Sequence, residues 1–469
     1  MRTVAFYTLG CKLNFSETST IARLFINNGF EKVEVSENAD VYVINTCSVT
    51  EQSDKKCRQA IKKFTKQSPN AIIAITGCYA QLKPNEVASI KGVDLVIGTD
   101  AKDRIVEHVN SVRNKCEKAH VFSCDINDVD SFFNAFSSGD RTRSFLKVQD
   151  GCSYNCSYCT IPMARGKSRN PDIVSILDEA RKISELGSKE IILTGVNIGD
   201  FGRGNNEKFI DLLKALENID GIERYRISSI EPNLLTNEII EFVASSEKYL
   251  PHYHLPLQSG SNKILKLMRR RYVRELLHDK IEALRNKHPF TFFGIDVIVG
   301  FPNETDDDFN DTYSFLKDLN PAYLHIFPYS ERPGTASACM SNKVSQTKIN
   351  ERVKTLTQLS NQMHSDFYRA NIGRNEKVLF ESTVKKGMMY GFTGNYIKVE
   401  TPYNENLVGK IISVKLTGIA NSGNIQFVDS TNKRNVINNQ LNTLHYVSNF
   451  NYFGSDIIPR KFSIKEKNS

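Results

Sequence analysis

Three cysteines lie within eight residues of one another in the segment GCSYNCSYC, and their spacing suits the binding of a metal cluster. Cys152, Cys156 and Cys159 follow a predicted strand, so one short loop carries all three thiols. Iron–sulfur clusters usually take four cysteine ligands, and a group of three leaves one iron open. An open metal position is typical of a reactive site. A structural zinc site, the alternative, needs a fourth ligand nearby, and no Cys or His follows within ten residues of Cys159.

Three more cysteines each follow a short apolar run, in VAFYTLGC, DVYVINTC and AIIAITGC. These runs are predicted strands separated by helices, a pattern typical of a parallel, open doubly wound sheet. The carboxyl ends of such strands share the edge where ligands bind, so we expect Cys11, Cys47 and Cys78 to meet there. Gly10 and Gly77 allow the backbone to approach closely at two of the turns. This predicts a second three-thiol cluster site, and the alternative is three separately buried structural cysteines.

The remaining cysteines match no ligand spacing and are interpreted as ordinary thiols: Cys57, Cys116, Cys124 and Cys339. Ten thiols in a chain of 469 residues, which opens MRTVAFYTLG without an apolar signal-peptide core, indicate metal or redox chemistry rather than disulfides. No apolar run approaches the ~18 residues of a membrane span, so we expect no transmembrane helix and a cytoplasmic protein. Hydrophobic residues at 40% and charged residues at 24% exclude global disorder and a fibrous protein.

The predicted elements that position these thiols belong to three domains, of which two are α/β and one is all-β. Residues 1–115 form the doubly wound domain, and 116–143, polar and acidic in the middle, are interpreted as a linker. Residues 144–370 contain six strand–helix units, which predict a partial (βα)6 barrel. Its strands are predicted at 145–148, 190–193, 225–228, 253–257, 292–299 and 323–327. Residues 371–430, rich in Gly, Asn and Pro turns, predict a small all-β barrel, and 431–469 form a basic tail.

The segment CSYNCSYC, with an aromatic residue before its last cysteine, resembles the cluster-binding motif of radical S-adenosylmethionine enzymes. The order of domains is similar to that of the methylthiotransferases of this superfamily, whose carboxyl-terminal module is a TRAM domain. Further motifs carry the resemblance over residues 1 to about 430: CTIPMARG (159–166), HLPLQSGS (254–261), GIDVIVGFPNET (294–305) and FPYSERPGT (327–335).

The resemblance implies a role for each residue of the site. The 152–159 cysteines would bind a 4Fe–4S cluster that chelates the amino and carboxylate groups of S-adenosylmethionine. Tyr158 would lie near the adenine, and Gly195 and Asn197 would hold the methionyl amino group. Ser228 and Gln258 would line the site, and Asp296 belongs to the segment 295–304 that would pack on the adenosine.

The resemblance also implies two 4Fe–4S clusters and two S-adenosylmethionine molecules. An electron from a flavodoxin- or ferredoxin-class donor would cleave one S-adenosylmethionine to a 5′-deoxyadenosyl radical, which takes hydrogen from the substrate. The amino-terminal cluster would supply sulfur already methylated by the second molecule. The protein would position these cofactors and keep water from the radical. The source of the sulfur stays open.

The residues around the first cysteine resemble one branch of the family and so imply a substrate. TLGCKLN (8–14), MRRRYVRE and RISSIEP resemble the branch that modifies the adenine 2-carbon of N6-threonylcarbamoyladenosine at tRNA position 37. The isopentenyladenosine branch more often has YGCQMN, and the branch that modifies an aspartate of a small-subunit ribosomal protein more often has LGCPKN. Both remain alternatives, as do two other classes, an iron–sulfur electron-transfer protein with an RNA-binding module and a zinc-bearing RNA-binding protein.

Clusters of Lys and Arg give independent support for an RNA partner, which the resemblance implies is the tRNA anticodon stem-loop. The chain has 61 Lys and Arg against 53 Asp and Glu, a net charge of +8, and the tail contributes +4 of it. Such clusters bind phosphates in a salt-dependent manner, although a solvated surface is the alternative for any one of them. The candidates are Lys55, Lys56, Arg58, Lys62, Lys63 and Lys66, then Arg269, Arg270, Arg271 and Arg274, and Lys385 and Lys386 in the β module.

Overall fold

The computed structural model describes residues 1–48, 51–112, 115–139 and 142–429. A parallel-sheet domain, a partial barrel of parallel strands and a closed β-barrel follow one another along this range. The predicted mixed α/β class and its three units are therefore confirmed. The basic tail predicted at 431–469 lies outside the described residues.

The amino-terminal domain is an open parallel sheet with a hydrophobic cluster on each face. Its strands are β1 (Thr3–Thr8), β2 (Glu31–Lys32), β3 (Val41–Thr46), β4 (Ile72–Gly77), β5 (Leu95–Ile97) and β6 (His120–Phe122). Its helices are α1 (Lys12–Asn27), α2 (Glu51–Gln67), α3 (Cys78–Leu82), α4 (Pro84–Ala88) and α5 (Ile105–Ser111). Strands β3 and β4 are buried along their whole length, as expected of a sheet covered on both faces. The order β2-β1-β3-β4-β5-β6 reverses direction between β1 and β3.

Part of the predicted linker belongs to this sheet. Strand β6 lies within 116–143 and pairs in parallel with β5 through His120, Val121 and Phe122. The sequence signal was weak because β6 has three residues and its first two are exposed, so it lacks the apolar run of a buried strand. The domain boundaries themselves stay a prediction.

The second domain is the partial barrel, with six strands in the described range. They are β7 (Ser144–Lys147), β8 (Glu190–Thr194), β9 (Arg224–Ile227), β10 (His252–Gln258), β11 (Phe292–Val299) and β12 (Tyr323–Pro328). They form two parallel three-stranded sheets, joined by a bridge between Ser229 and His254. The helices are α6 (Ile161–Arg165), α7 (Ile173–Glu185), α8 (Phe209–Glu217), α9 (Asn237–Ser245), α10 (Asn262–Leu267), α11 (Arg274–Lys287) and α12 (Asp306–Leu319).

Helix α13 (Gln346–Ala370) leads into a closed barrel of five strands. Neighbouring strands are antiparallel except for the last strand and the third, which pair in parallel. The five strands are β13 (Asn375–Lys385), β14 (Met388–Thr393), β15 (Lys398–Pro402), β16 (Ile411–Ile419) and β17 (Ile425–Asp429). The sequence pattern predicts three of them, as short strands at 377–380, 396–399 and 411–416. Strand β14, MMYGFT, is interrupted by Gly391, which must be glycine because a Cβ would come within 2.5 Å of Val378.

Buried arginines of the partial barrel dock the β-barrel against its amino-terminal end. Arg226 donates to Glu190 Oε1 at 2.7 Å and to the carbonyls of Thr393 and Gly394, each at 2.8 Å. Arg224 donates to the carbonyl of Lys377 at 2.7 Å. The β-barrel therefore closes the end of the partial barrel at which β8 and β9 begin.

We predict that Arg226→Met loosens this docking. The substitution leaves the buried Glu190 carboxylate without its nearest cation, and breaking a buried pair in this way costs about 3–5 kcal/mol. Urea unfolding measures the cost, and limited proteolysis should release the β-barrel. Arg181→Met, which removes an exposed pair with Asp178, is the matched control and should cost below about 1 kcal/mol. Equal stability of the two variants would contradict the docking role.

Candidate active site

The three cysteines of the barrel triad, Cys152, Cys156 and Cys159, lie on the loop between β7 and α6. The Cys152 backbone NH donates to the Gly166 carbonyl at 2.9 Å, which closes the loop on itself. Ser157, between the last two cysteines, donates from Oγ to the Leu267 carbonyl at 2.8 Å. The loop is thus fixed both by its own backbone and by the carboxyl end of α10.

The thiols of the barrel triad suit a metal cluster. Burial raises the pKa of Cys152 to about 11 and that of Cys159 to about 12, so without a cation both stay protonated at neutral pH. A bound metal supplies the positive charge that stabilises the thiolates. Arg270 Nη1 lies 3.2 Å from Cys156 Sγ and donates to it, which also favours the thiolate.

The structure buries one of the predicted RNA-contacting arginines, Arg270, and leaves its neighbour Arg271 exposed. The Arg270 side chain is 2% exposed and pairs with Glu231 as well as with Cys156, so phosphate has no access to its guanidinium. Arg271 donates to the carbonyl of Ser153 at 3.3 Å and stacks over Tyr154 at 3.9 Å. Both side chains therefore hold the cluster loop. A run of arginines in sequence does not show which of its members face solvent.

Several predicted cofactor-binding residues follow strand ends on the same side as the barrel triad. Both side-chain polar atoms of Asn197 and the Ser228 Oγ are buried without a hydrogen-bond partner among the described residues. Orphaned buried groups are costly, so they indicate a ligand at this position. Gln258, at the end of β10, has a positive φ of 71°. S-adenosylmethionine, with amino, carboxylate and ribose hydroxyl groups, would fit this donor set.

Gln149, which the sequence did not single out, joins the cofactor segment to the cluster loop. Its Oε1 accepts from the backbone NH groups of Val196 and Asn197 at 2.9 and 2.8 Å. Its Nε2 donates to the carbonyl of Gly151 at 2.8 Å. Gly195 has to be glycine because a Cβ would lie 2.9 Å from Gln149 Oε1. Tyr158 packs beside the small cluster of Ile264, Met268 and Phe301.

The sheet triad, Cys11, Cys47 and Cys78, follows β1, β3 and β4, which are direct neighbours in the sheet. The turns pack so closely that side chains are excluded from them. A Cβ on Gly10 would lie 2.8 Å from the Cβ of Cys47, and one on Gly77 would lie 2.3 Å from the Thr46 carbonyl. Both glycines have φ near +100°, at +117° and +93°. The predicted meeting of the three strand ends is therefore present in the structure.

A buried ion-pair network lies between the two triads. The Glu17 carboxylate, on α1, accepts from Lys102 at 2.8 Å and from Lys147 and Arg165 at 3.1 Å. Asp150, just before the cluster loop, pairs with Lys147 at 2.7 Å and with Arg165 at 2.9 Å. Burial alone would raise the pKa of Glu17, but the three cations outweigh burial and hold that pKa well below its usual range.

Asn14 links this network to the sheet triad. Arg165 Nη2 donates to Asn14 Oδ1 at 2.7 Å, and the same oxygen lies 3.6 Å from Cys11 Sγ. Asn14 Nδ2 donates to the carbonyls of Leu9 and Thr46 at 2.9 and 2.8 Å. Because Arg165 ends the helix that follows the barrel triad, a single side chain connects the two sites.

Arg332, in the FPYSERPGT motif, forms a second link. Its Nη2 donates to the carbonyl and the Oγ of Ser48, both at 2.9 Å, and to Asp54 Oδ2 at 3.1 Å. Ser48 directly follows the middle cysteine of the sheet triad. Further along, the Ser337 backbone NH donates to the Ser157 carbonyl, inside the barrel triad, at 2.8 Å. Residues 332–337 thus touch both cluster loops.

Polar side chains line the barrel interior below the strand ends. Asp296, predicted near the adenosine, lies in the middle of β11 and accepts from His254 Nε2 at 2.6 Å. The His254 ring lies 4.8 Å from that of His325. Burial lowers the pKa of His325 to about 4, and burial with nearby Arg143 lowers that of Lys12 to about 8. These groups lie inside the fold yet remain partly accessible, so solvent reaches the barrel interior there.

The other predicted RNA contacts lie on the surface. Four lysines of α2 are exposed, whereas Arg58 donates to the hydroxyl of Tyr79 at 2.9 Å. The exposed α2 lysines are Lys55, Lys62, Lys63 and Lys66. Lys385 and Lys386 form the exposed tip of the β13–β14 hairpin, and Arg269 is exposed between α10 and α11. The described helices include none that is long and apolar enough to cross a membrane.

Two family models match the chain. The Uncharacterized protein family UPF0004 matches residues 3–98, which hold the sheet triad, and the Radical SAM superfamily matches residues 146–316, which hold the barrel triad. The threonylcarbamoyladenosine tRNA methylthiotransferase MtaB of Bacillus subtilis is 41% identical over 433 residues, covering 89% of this chain and 94% of the relative. The MtaB protein of Aquifex aeolicus is 38% identical, covering 88% and 99%.

The chain belongs to the methylthiotransferase family of radical S-adenosylmethionine enzymes. The predicted resemblance, enzyme class and cofactors of the superfamily, S-adenosylmethionine and 4Fe–4S clusters, are confirmed. The tRNA-2-methylthio-N6-dimethylallyladenosine synthase of Histophilus somni, another methylthiotransferase, is 31% identical over 88% of this chain and 89% of its own length. The solved structure of the methyltransferase TsrM from Kitasatospora setae shares the fold at a TM-score of 0.53 and 14% identity, over 70% of this chain and 73% of TsrM.

We predict that Glu17→Gln destabilises the joint between the two cluster-bearing domains. The amide keeps the size of the side chain but leaves three buried cations without their carboxylate, at an expected cost of about 3–5 kcal/mol. Urea unfolding of the metal-free protein measures it. Glu247→Gln, at an exposed position, is the control and should stay within about 0.5 kcal/mol of the parent. A Glu17→Gln protein as stable as this control would show that the network carries no net stabilisation.

We also predict that Arg332→Met impairs the sheet triad selectively. Without the guanidinium, the buried Asp54 carboxylate loses its cation and the Ser48 carbonyl its donor. Bound iron should fall from about eight atoms towards about four per chain, whereas cleavage of S-adenosylmethionine should persist. Arg332→Lys should recover part of the iron, and the exposed Arg369→Met is the control. Equal loss of iron and of cleavage would contradict a selective role.

Proposed function

We propose that the chain is a tRNA methylthiotransferase that adds a methylthio group to the adenine 2-carbon of N6-threonylcarbamoyladenosine at tRNA position 37. The observation that carries this proposal is the pair of three-thiol sites, joined through Arg165 and Arg332. Each site would hold one 4Fe–4S cluster with one iron left open. Two open clusters suit a reaction that uses S-adenosylmethionine twice, once for a radical and once for a methyl group.

The barrel triad with S-adenosylmethionine supplies radical chemistry when both are bound, and the protein controls where that chemistry acts. The buried amide of Asn197 and hydroxyl of Ser228 are available to orient the cofactor. Arg270 donates to Cys156 Sγ, and such hydrogen bonds to cluster sulfurs tune the reduction potential. The docked β-barrel closes one end of the barrel and so limits the access of water to its interior.

The sheet triad would hold the cluster that supplies sulfur. Its loop is connected to the barrel triad by side chains and by residues 332–337, so the methylated sulfur and the radical are expected to face the same enclosed space. The electron donor would be a flavodoxin- or ferredoxin-class protein.

Threonylcarbamoyladenosine is favoured over the alternatives by the names of the relatives. The most similar relatives cited above, at 41% and 38% identity, carry that name, whereas the dimethylallyladenosine enzyme is 31% identical. The exposed lysines of α2 and of the β13–β14 hairpin would bind the phosphates of the anticodon stem-loop. The small β-barrel is compatible with backbone recognition of RNA.

We predict that deleting the gene removes 2-methylthio-N6-threonylcarbamoyladenosine from tRNA, as measured by mass spectrometry of nucleosides. Cys152→Ala should abolish cleavage of S-adenosylmethionine to 5′-deoxyadenosine, whereas Cys47→Ala should retain cleavage but insert no sulfur. Cys339→Ala, at an exposed thiol outside both triads, is the control.

Two results would overturn the proposal. An unchanged level of the modified nucleoside in a deletion strain with no redundant enzyme would exclude the substrate. No 5′-deoxyadenosine from iron-loaded protein given dithionite and S-adenosylmethionine would instead favour an electron-transfer protein.

A further inference from the structure

The barrel interior holds a group of polar side chains that the proposed chemistry does not use. His254, Asp296 and His325 lie on three neighbouring strands, and their ligand atoms are all within 4.8 Å of one another. Lys12, the first residue of α1, lies close enough to interact electrostatically with Asp296 and His325. The amino-terminal domain therefore contributes a cation to the electrostatic surroundings of these barrel side chains.

Open space adjoins this group. All four side chains remain partly exposed although they lie inside the protein. Gly294, the register partner of His254, contributes no side chain next to them, and a Cβ there would lie 3.4 Å from His325 Nε2. A glycine within a strand is typical of a position where a ligand approaches closely. The space could therefore admit a polar substituent of a substrate.

The hydrogen-bonding capacity of the group is largely unused. Among the described residues, neither the Lys12 ammonium nor the His325 ring nitrogens have a hydrogen-bond or ion-pair partner. The Asp296 carboxylate accepts a hydrogen bond from His254 Nε2. This bond fixes the orientation of the ring and does not use Nδ1. These side chains, with His325 and Lys12 lacking a partner and His254 held by Asp296, are poorly suited to an apolar dimethylallyl group. They are well suited to a carboxylate and a hydroxyl.

We propose that Lys12, His254 and His325 bind the carboxylate and hydroxyl of the N6-threonylcarbamoyl group, with Asp296 as the residue that positions His254. This inference rests on the proposed function, since it names the part of the substrate that the enzyme recognises. It also explains how the site would discriminate. A substrate that lacks the carboxylate leaves buried polar groups unpaired, and sites built to bind such groups reject analogues strongly.

The test uses the full chain loaded with iron and sulfide, and anticodon stem-loop RNAs that carry threonylcarbamoyladenosine, isopentenyladenosine or adenosine at position 37. Lys12→Met should raise KM and lower kcat/KM for the threonylcarbamoyl RNA by about 10- to 100-fold, the worth of one charged hydrogen bond. The preference of the enzyme for the threonylcarbamoyl RNA over the unmodified RNA, given by the ratio of their kcat/KM values, should fall by a similar factor. Lys12→Arg should restore most of it, and His325→Phe, which keeps an aromatic ring, should also weaken the preference.

The controls separate this inference from the function on which it rests. Lys317→Met, at an exposed position of α12, should keep the preference of the parent. If the parent enzyme fails to modify the threonylcarbamoyl RNA, the proposed function is wrong. If the parent modifies it and Lys12→Met and His325→Phe keep the full preference, the binding site is wrong. A divalent cation that is present in the parent and lost from Asp296→Asn would also overturn it, because the group would then be a metal site.

Discussion

The buried carboxylate of Glu17 is the interaction on which the arrangement of the two cysteine triads depends. It lies on the helix that begins directly after Cys11, and its partners come from both domains. Removing so many charges from water costs several kcal/mol per ion, which the ion pairs only partly recover. Such networks are kept where they fix a unique arrangement, and here the arrangement is the position of one cluster loop against the other. Lys102, Lys147 and Arg165 outnumber Glu17 and Asp150 locally, and the excess positive charge favours thiolate-bound clusters nearby.

Buried charged side chains also join two domains at the other end of the partial barrel. Arg226 and Arg224 donate to backbone carbonyls of the β-barrel rather than to its side chains. Carbonyls in a closed barrel cannot move independently, so these bonds set orientation as well as contact. Inter-domain contacts are often loose by default. Here, buried guanidinium groups on both sides of the partial barrel join three domains into one enclosed site.

The sequence was sufficient for whatever depends on local spacing. The barrel triad follows from C-x3-C-x2-C, and the sheet triad follows from three similar strand endings, because parallel strands bring their ends to one edge. Six barrel strands were likewise visible as apolar runs. Strands β6 and β14 were missed because one is short and exposed and the other contains Gly391.

Contacts across domains could not be predicted in the same way. Arg165 and Arg332 both lie in motifs quoted for the family resemblance, yet their partners in the amino-terminal domain are more than 100 residues away in sequence. One signal was available, since Glu17 precedes Ile21 by four residues and thus shares its apolar face. A charge on such a face indicates a buried partner. Arg270 shows the opposite error, because a run of arginines suggested a surface where the structure has a buried pair.

The enclosed site draws on all three domains, and this has a consequence for substrate choice. Lys12 comes from the amino-terminal domain and His254 and Asp296 from the barrel, while Arg226, whose positive charge contributes to lowering the pKa of Lys12 after burial and Arg143, is held by the β-barrel. A shift of either flanking domain would therefore move a charge relative to the substrate. Selectivity for a polar substituent is then a property of how the domains are docked, and not only of the side chains that touch it. Rigid docking through buried arginines is the arrangement that such selectivity requires.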